Sequence, residues 1–277
     1  MNGVIFVANL RIGDIVTRKS YGGDMHFKVT DIVTGDDGKS KCVLRGLIYR
    51  IMADSDISDL QVVDKRDALA KLYKEFGRVT SAEAIKKYDI PAPHIKWMRG
   101  TYGSILHIDS SAEFLKMCTD YYKDAGLRAN GVVVSERDQP QVIKRQLERY
   151  KPDILVLTGH DSIKKDASYS SLESYTNSKY FIESVKTARK YQPDKNSLFI
   201  FAGACQSYYE AIMESGANFA SSPGRILIHA LDPGIVSCKI AVTDRTRLVT
   251  PSEIVKLVKS GAKGIGGISS RGHFINP

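Results

Sequence analysis

Residues 154–162 read ILVLTGHDS, and residues 198–207 read LFIFAGACQS. In both stretches an apolar run ends at a glycine that is followed by a potentially reactive side chain, His160 in the first and Cys205 in the second. Strand runs that are apolar throughout are typical of parallel strands covered on both faces. From residue 103 onward such runs alternate with amphipathic helical patterns, which predicts an α/β domain with a parallel sheet and helices on both faces.

The rest of the chain divides at changes in this pattern. The sequence predicts a small SH3-like β-barrel over residues 1–63, a charged helical connecting arm over residues 64–102, and the α/β domain over residues 103–277. Turn signals at residues 22–24 (GGD) and 35–38 (GDDG) separate the short strands of the first module.

The individual elements follow from the period of the apolar residues. The predicted strands of the first module are 11–18, 27–33, 41–45 and 49–53, and the arm has helical stretches around 66–76 and 81–88. In the α/β domain the predicted strands are 105–108, 131–134, 154–157, 198–201 and 226–229, and the predicted helices are 111–125, 139–150, 178–191, 206–215 and 251–260.

Composition narrows the classes of function. No apolar run is long enough for a membrane span and the N-terminus lacks a secretory pattern, so we expect a protein that acts inside the cell. The four cysteines show no spacing typical of a zinc site or a disulfide framework, so we expect free thiols, no metal and no cofactor. The net charge of +9 favours acidic partners, but no nucleic-acid motif is present, and we expect no nucleic-acid partner. The sequence does not determine the oligomeric state.

His160 and Cys205 form the candidate catalytic pair. Ligands of open α/β sheets gather at the carboxyl ends of the strands, and neighbouring strands lie about 4.8 Å apart. An imidazole can then take the proton of a thiol, and the predicted helix 206–215 would favour the thiolate of Cys205 at its N-terminus. Backbone amides of Gly159 and Cys205 are the candidates for stabilising an oxyanion. Alone, either side chain would read as a core residue, but the matched positions favour catalysis.

These segments resemble a known group of enzymes. The glycine-histidine and glycine-alanine-cysteine strand ends are similar to those of the caspase, legumain and clostripain peptidases. The closer resemblance is to the YabG family of sporulation-specific peptidases, and it covers almost the whole chain. The segments that carry it are 12–21 (IGDIVTRKSY), 53–60 (ADSDISDL), 151–161 (KPDILVLTGHD), 201–207 (FAGACQS), 216–223 (GANFASSP) and 228–233 (IHALDP).

The resemblance implies a caspase-like cysteine endopeptidase that cleaves after arginine. It further implies protein substrates of the spore coat and cortex machinery, and a location in the mother-cell cytoplasm and the forming spore coat. Arginine-specific members often carry an aspartate two residues before the nucleophile, where this chain has Gly203. We therefore expect the acid that binds arginine elsewhere, with Asp232 as the candidate and Ser221 and Ser222 lining the same pocket. The alternative is that Asp232 caps or turns the chain.

Three other residues have more than one interpretation. Asp161 either orients His160 or caps a loop, and the loop is favoured because adjacent residues seldom face each other. His229 and Cys238 alternate with apolar neighbours, which favours strand positions in the core.

Rival functions remain open on sequence alone. The protein could be a non-catalytic spore-coat scaffold or a nucleic-acid-binding adaptor built on the basic β-barrel, or an α/β hydrolase of small amides or esters. For a peptidase that cleaves after arginine, we also expect self-cleavage in the arm at Arg66, Arg78 or Arg99.

Overall fold

The computed structural model describes residues 10–34, 40–68 and 101–276. Its first part is an antiparallel five-stranded sheet with strand order β4-β3-β2-β1-β5. The strands are β1 (Ile15–Arg18), β2 (Phe27–Thr34), β3 (Ser40–Gly46), β4 (Met52–Asp56) and β5 (Leu60–Val62). Within the described residues β4 and β5 do not pair with each other, so the sheet is open and the closed SH3-like barrel stays a prediction.

The structure changes the strand bounds predicted for the first module. The predicted strand 49–53 begins at Met52, because residues 47–51 form a loop between β3 and β4. Strand β5 was not predicted. The turn at residues 35–38 and nearly all of the arm, including Arg78 and Arg99, lie outside the described residues. Arg66 is described and exposed.

The second part is a mixed α/β unit around a six-stranded sheet with order β12-β10-β9-β8-β6-β7. Its strands are β6 (Ile105–Asp109), β7 (Ala129–Val133), β8 (Ile154–Leu157), β9 (Phe199–Ala202), β10 (Phe219–Ser221) and β12 (Ile265–Gly267). The first five run parallel and β12 is antiparallel to β10. A separate pair is formed by β11 (Leu248–Val249) and β13 (Ser270–Arg271).

Helices cover both faces of this sheet. They are α1 (Ala112–Asp124), α2 (Gln139–Tyr150), α3 (Ser178–Tyr191), α4 (Tyr209–Glu214), α5 (Asp232–Val242), α6 (Pro251–Val255) and α7 (Gly261–Gly264). Alternate residues of each strand point to opposite faces. On β8, Ile154 and Val156 therefore pack with α1 and α5, whereas Leu155 and Leu157 pack with α2 and α3. None of the described helices is both long and apolar enough to cross a membrane.

The predicted order of strands and helices is confirmed over most of this part, with four exceptions. Residues 226–229 are not a strand; β10 takes that place in the sheet. Helix α4 begins at Tyr209 instead of residue 206, and the predicted helix 251–260 is limited to α6. Cys238 lies on α5, a helix buried on all sides, so its apolar neighbours reflect a core helix and not the expected strand.

The two parts share one hydrophobic core. Phe27, Leu44 and Ile51 of the first sheet belong to the same buried cluster as Val156 and Phe201 of the second. The loop of residues 47–51, which we call the cleft loop, connects the two parts, because its backbone bonds to residues that follow the carboxyl ends of β8 and β9.

Candidate functional site

The neighbouring strands β8 and β9 bring the predicted pair to one edge of the sheet. Leu157 of β8 is paired with Ala202 of β9, and His160 and Cys205 each follow three residues beyond that pair (160 − 157 and 205 − 202). Both lie at the carboxyl ends of parallel strands, where α/β proteins place their ligands. The edge of the sheet is therefore the one expected from the sequence.

Cys205 is completely buried in a tight turn. The turn continues through Gln206, which has a left-handed φ of 55°, and α4 begins only at Tyr209. The Sγ atom accepts a hydrogen bond from the amide of Ile228 at 3.0 Å. Burial raises the pKa of the Cys205 thiol to about 12, against the opposing effects of the Ile228 amide and the charge of Arg50. Because three turn residues separate Cys205 from α4, the helix terminus is not the source of activation that the sequence suggested.

His160 is also buried, with its ring stacked on Phe114 at 5.3 Å between centroids. Its Nδ1 lies 3.4 Å from Ser110 Oγ and 3.8 Å from Glu136 Oε1. Burial lowers the pKa of His160, and the Glu136 carboxylate partly offsets this effect. No hydrogen bond joins Cys205 Sγ to the imidazole anywhere in the described parts of the chain. The two side chains share the edge but have separate partners.

Glu136 is a site residue that sequence reasoning missed. Its Oε1 also accepts the backbone amide of His160 at 2.7 Å, so one carboxylate holds both the backbone and the ring of this residue. Burial opposes ionisation of Glu136, yet the hydrogen bonds from His160 and the charge of Arg45 hold its pKa below the ordinary value. Glu136 lies in a polar turn before α2, where sequence offers little to distinguish it from a helix start.

Gly159 has a packing role that accounts for the absence of a side chain. A Cβ atom at this position would lie 2.4 Å from Glu136 Oε1, closer than any real contact. The glycine therefore lets the Glu136 carboxylate reach the His160 backbone. The amide that converges with that of Cys205 belongs to Asp161, one residue beyond His160, and not to Gly159 as expected.

The two converging amides hold one carbonyl oxygen. Cys205 N donates to Arg50 O at 3.1 Å, and Asp161 N donates to the same oxygen at 3.2 Å. Arg50 belongs to the cleft loop, far away in sequence. Two amides from different strand ends that point at one carbonyl oxygen form the geometry of an oxyanion hole.

The Arg50 side chain is completely buried beside this carbonyl. Its Nη1 contacts Asp109 Oδ2 at 2.5 Å, and its Nε and Nη2 donate to Ala230 O at 3.2 and 2.9 Å. The guanidinium also lies 5.0 Å from the ring of Phe114. A planar guanidinium is thus bound by a carboxylate, a carbonyl and an aromatic ring, the partners that suit it best.

Asp109 is held in position by its own donors. Thr158 Oγ1 donates to Oδ2 at 2.7 Å and the amide of Ser111 donates to Oδ1 at 2.8 Å. Burial opposes its ionisation, but the charge of Arg50 lowers the pKa of Asp109 far below its ordinary value. Asp109 is therefore a buried, ionised acid at the carboxyl end of β6, two strands from Cys205 in the sheet.

The residues expected to bind arginine lie elsewhere. Asp232 is buried at the start of α5, and its two oxygens accept the amides of Lys259 and Ser260, each at 2.9 Å. Ser222 Oγ accepts the amide of Gln206 at 3.0 Å and donates to Ile226 O at 2.8 Å, so it braces the turn after Cys205. Ser221 is buried at the end of β10. None of the three is a hydrogen-bond partner of the Arg50 guanidinium, and the Asp232 carboxylate holds the backbone that precedes α7.

Asp161 has the contacts of a loop-capping residue. Its carboxylate accepts the amides of Ser162 and Asn177 and the hydroxyls of Ser178 and Ser207. It thereby links the start of α3 to the turn that carries Cys205. His229 lies nearby, buried, with Nδ1 accepting the amide of Leu231.

Within the described ranges no group of three or more histidine, cysteine, aspartate or glutamate side chains is placed to hold a metal ion. The four cysteines are buried free thiols.

Two comparisons of the sequence with known proteins identify the same family. A family model described as YabG peptidase U57 matches residues 11–276. The sporulation-specific protease YabG of Bacillus subtilis (strain 168) is 37% identical over 276 residues, which covers 95% of this chain and 95% of the relative. Among solved structures, the A domain of a carboxylic acid reductase from Segniliparus rugosus matches with a TM-score of 0.32 and 13% identity, covering 83% of this chain and 28% of that chain. This last likeness is too low to carry any argument.

Proposed function

Since the chain belongs to the YabG peptidase U57 family and is therefore a sporulation peptidase, we propose that it is a cysteine endopeptidase with Cys205 as nucleophile and His160 as base. The observation that carries this proposal is the pair of amides on the Arg50 carbonyl. Peptide hydrolysis needs a site for the negative oxygen of the tetrahedral intermediate, and the amides of Cys205 and Asp161 supply two donors next to the thiol.

The reaction uses the remaining groups in turn. His160 takes the thiol proton as the sulfur attacks the carbonyl carbon, and it then gives a proton to the leaving amine. Water releases the acyl group from the resulting thioester. For this the Cys205 side chain must leave the Ile228 amide and approach the imidazole. Glu136 holds the His160 ring and raises its basicity against the effect of burial.

Specificity for arginine is supported by the same geometry. The side chain whose carbonyl occupies the two amides is an arginine, and its guanidinium has a fitted set of partners. We extend the proposal to cleavage after arginine in proteins of the spore coat and cortex machinery, in the mother cell and on the forming spore.

The test compares purified wild-type protein with Cys205→Ala and His160→Ala. We expect the wild type to cleave an unstructured protein substrate with new C-termini at arginine, and each variant to lose activity by about 1,000-fold or more. Cys238→Ala is the matched control, because it removes a different buried thiol, on α5, and it should keep activity. Full activity in the Cys205 variant, or cleavage that ignores arginine, would contradict the proposal.

A further inference from the structure

The cleft loop is bound in the way an extended peptide substrate is bound. Alternate residues make backbone hydrogen bonds to the α/β unit, which is the pattern of a strand with period two. Ile48 O accepts the amide of Ala230 at 3.1 Å, Arg50 N donates to Ile228 O at 3.3 Å, and Met52 N donates to Asp161 O at 3.2 Å. The loop is thus gripped on both sides of the Arg50 carbonyl.

The loop is also presented as a rigid element. The β3–β4 pairing holds both of its ends, with Arg45 opposite Met52, and Gly46 N donates across its base to Ile51 O at 3.0 Å. A Cβ at Gly46 would lie 2.6 Å from Tyr49 O, so this tight turn needs a glycine. Little conformational freedom is left to lose on binding, which favours occupancy of the site.

From these contacts, and resting on the proposed function, we propose that the cleft loop is an internal substrate. Arg50 occupies the subsite for the residue before the cut bond, Asp109 is the acid that selects arginine there, and the bond between Arg50 and Ile51 is the one the enzyme hydrolyses in its own chain.

Asp109 meets the physical demands of that subsite. It is buried, ionised and fixed by two donors, and it faces the guanidinium together with the carbonyl of Ala230. Lysine has one compact ammonium in place of the planar fork, so it cannot engage both acceptors in the same way. A Cβ at Gly203, the position where related peptidases often carry their acid, would meet Ile212, Ser221 and Ser207, whereas the acid that contacts the Arg50 guanidinium comes from β6.

Hydrolysis of the bond between Arg50 and Ile51 consumes one water molecule and regenerates the enzyme's thiol. The sulfur bonds to the Arg50 carbonyl carbon, the bond to the Ile51 nitrogen breaks, and that nitrogen takes a proton delivered by His160. Water then adds to the thioester and restores the thiol. The products are residues 1–50, with a new carboxylate, and residues 51–277, with a new amine.

The two pieces stay joined after the cut. The β3–β4 and β1–β5 pairs each link a strand before the cut bond to a strand after it. Cleavage therefore separates the pieces only under denaturing conditions. This predicted site also differs from the arm arginines, of which Arg66 lies exposed outside the cleft.

The experiment uses the full chain and denaturing mass spectrometry with N-terminal sequencing. Wild type should convert to two fragments, the second beginning at Ile51, with a first-order rate that does not depend on protein concentration. Cys205→Ala and Arg50→Ala should remain uncut at this bond, Arg50→Lys should be cut more slowly, and Arg66→Ala should be cut like wild type. Melting temperatures confirm that each variant is folded.

The role of Asp109 is tested with added peptides that differ only in the residue before the cut bond. Asp109→Asn should reduce kcat/KM for the arginine peptide by about 100-fold while the norleucine peptide changes far less. As a readout independent of turnover, agmatine should raise the melting temperature of Arg50→Ala but not of Arg50→Ala combined with Asp109→Asn. An unchanged preference for arginine, or no effect of agmatine in the single variant, would overturn the assignment.

The outcomes separate this inference from the proposed function. A wild type that cleaves added arginine peptides but keeps its own bond at Arg50 intact contradicts the internal substrate alone. A protein that cleaves neither contradicts the proposed function itself.

Discussion

Removing one partner of the buried ion pair between Arg50 and Asp109 should strongly destabilise the protein, and changes at the two residues should be energetically coupled. Arg50→Met removes the charge and keeps most of the volume, and it leaves the buried Asp109 carboxylate with Thr158 and Ser111 as donors and with His107 Nε2 at 3.6 Å. Breaking one side of a buried pair costs about 3–5 kcal/mol, which for a chain of this size is a fall on the order of 10 °C in the melting midpoint. The measurement belongs in a Cys205→Ala background, where the chain stays uncut.

A double-mutant cycle isolates the pair from its surroundings. Arg50→Met, Asp109→Asn and their combination are unfolded in urea and followed by circular dichroism. Because the second change removes the stranded charge, the combination should be less destabilised than the sum, with a coupling of about 2–3 kcal/mol. Additive effects of about 1 kcal/mol or less each would refute the pairing.

The pH dependence of the same variants gives an independent check. Asp109 has a folded pKa below its unfolded value, so its contribution is complete above about pH 4 and is lost as the pH falls from there towards the folded pKa. Cys205→Ala alone should therefore lose stability in acid more steeply than Cys205→Ala with Asp109→Asn. Equal slopes for the two proteins would argue against an ionised Asp109.

Two further results follow from the site. Glu136→Gln removes the carboxylate that raises the pKa of His160, so the acidic limb of the kcat/KM profile for an added peptide should move to lower pH, and a shift to higher pH would contradict the role given to Glu136. With a thiol pKa of about 12, only about one Cys205 in ten thousand is ionised at pH 8, so iodoacetamide should label Cys205 slowly in the intact chain. Labelling should be faster in Arg50→Ala, where the cleft loop covers the sulfur less well. Equal labelling rates would mean that the loop does not cover the sulfur.

The strand ends could be predicted from sequence because their signal is local. The apolar runs before His160 and Cys205 identify β8 and β9, and parallel neighbours bring equivalent positions together. Asp109 carries the same signal, a polar residue at the end of an apolar strand, but it lies almost a hundred positions before Cys205, so the sequence does not connect it with the nucleophile. Asp232 also follows an apolar run, but its carboxylate binds the amides of Lys259 and Ser260, a contact between distant segments that no local pattern predicts.

The contacts of Arg50 and Glu136 in the site could not be predicted from their local sequence. Arg50 sits in a stretch that alternates like a strand, and its importance arises from contacts with Cys205 and Asp161 more than a hundred positions away in the chain. Glu136 occupies a polar turn that resembles any helix start. Contacts between distant segments leave no periodic pattern in the sequence. The position of Arg50 beside Cys205 and Asp161 is therefore visible only in the structure.

The cleft loop finally supplies a chemical template. In the proposed complex, Ile48, Tyr49 and Arg50 form the non-prime half of the ligand, and the backbone of Ile48 and Arg50 bonds to the α/β unit. A short Ile-Tyr-Arg peptide ending in an aldehyde would place an electrophilic carbon where the Arg50 carbonyl now lies, next to the amides of Cys205 and Asp161. The sequence of the cleft loop is thus a starting point for designing a covalent probe of the active site.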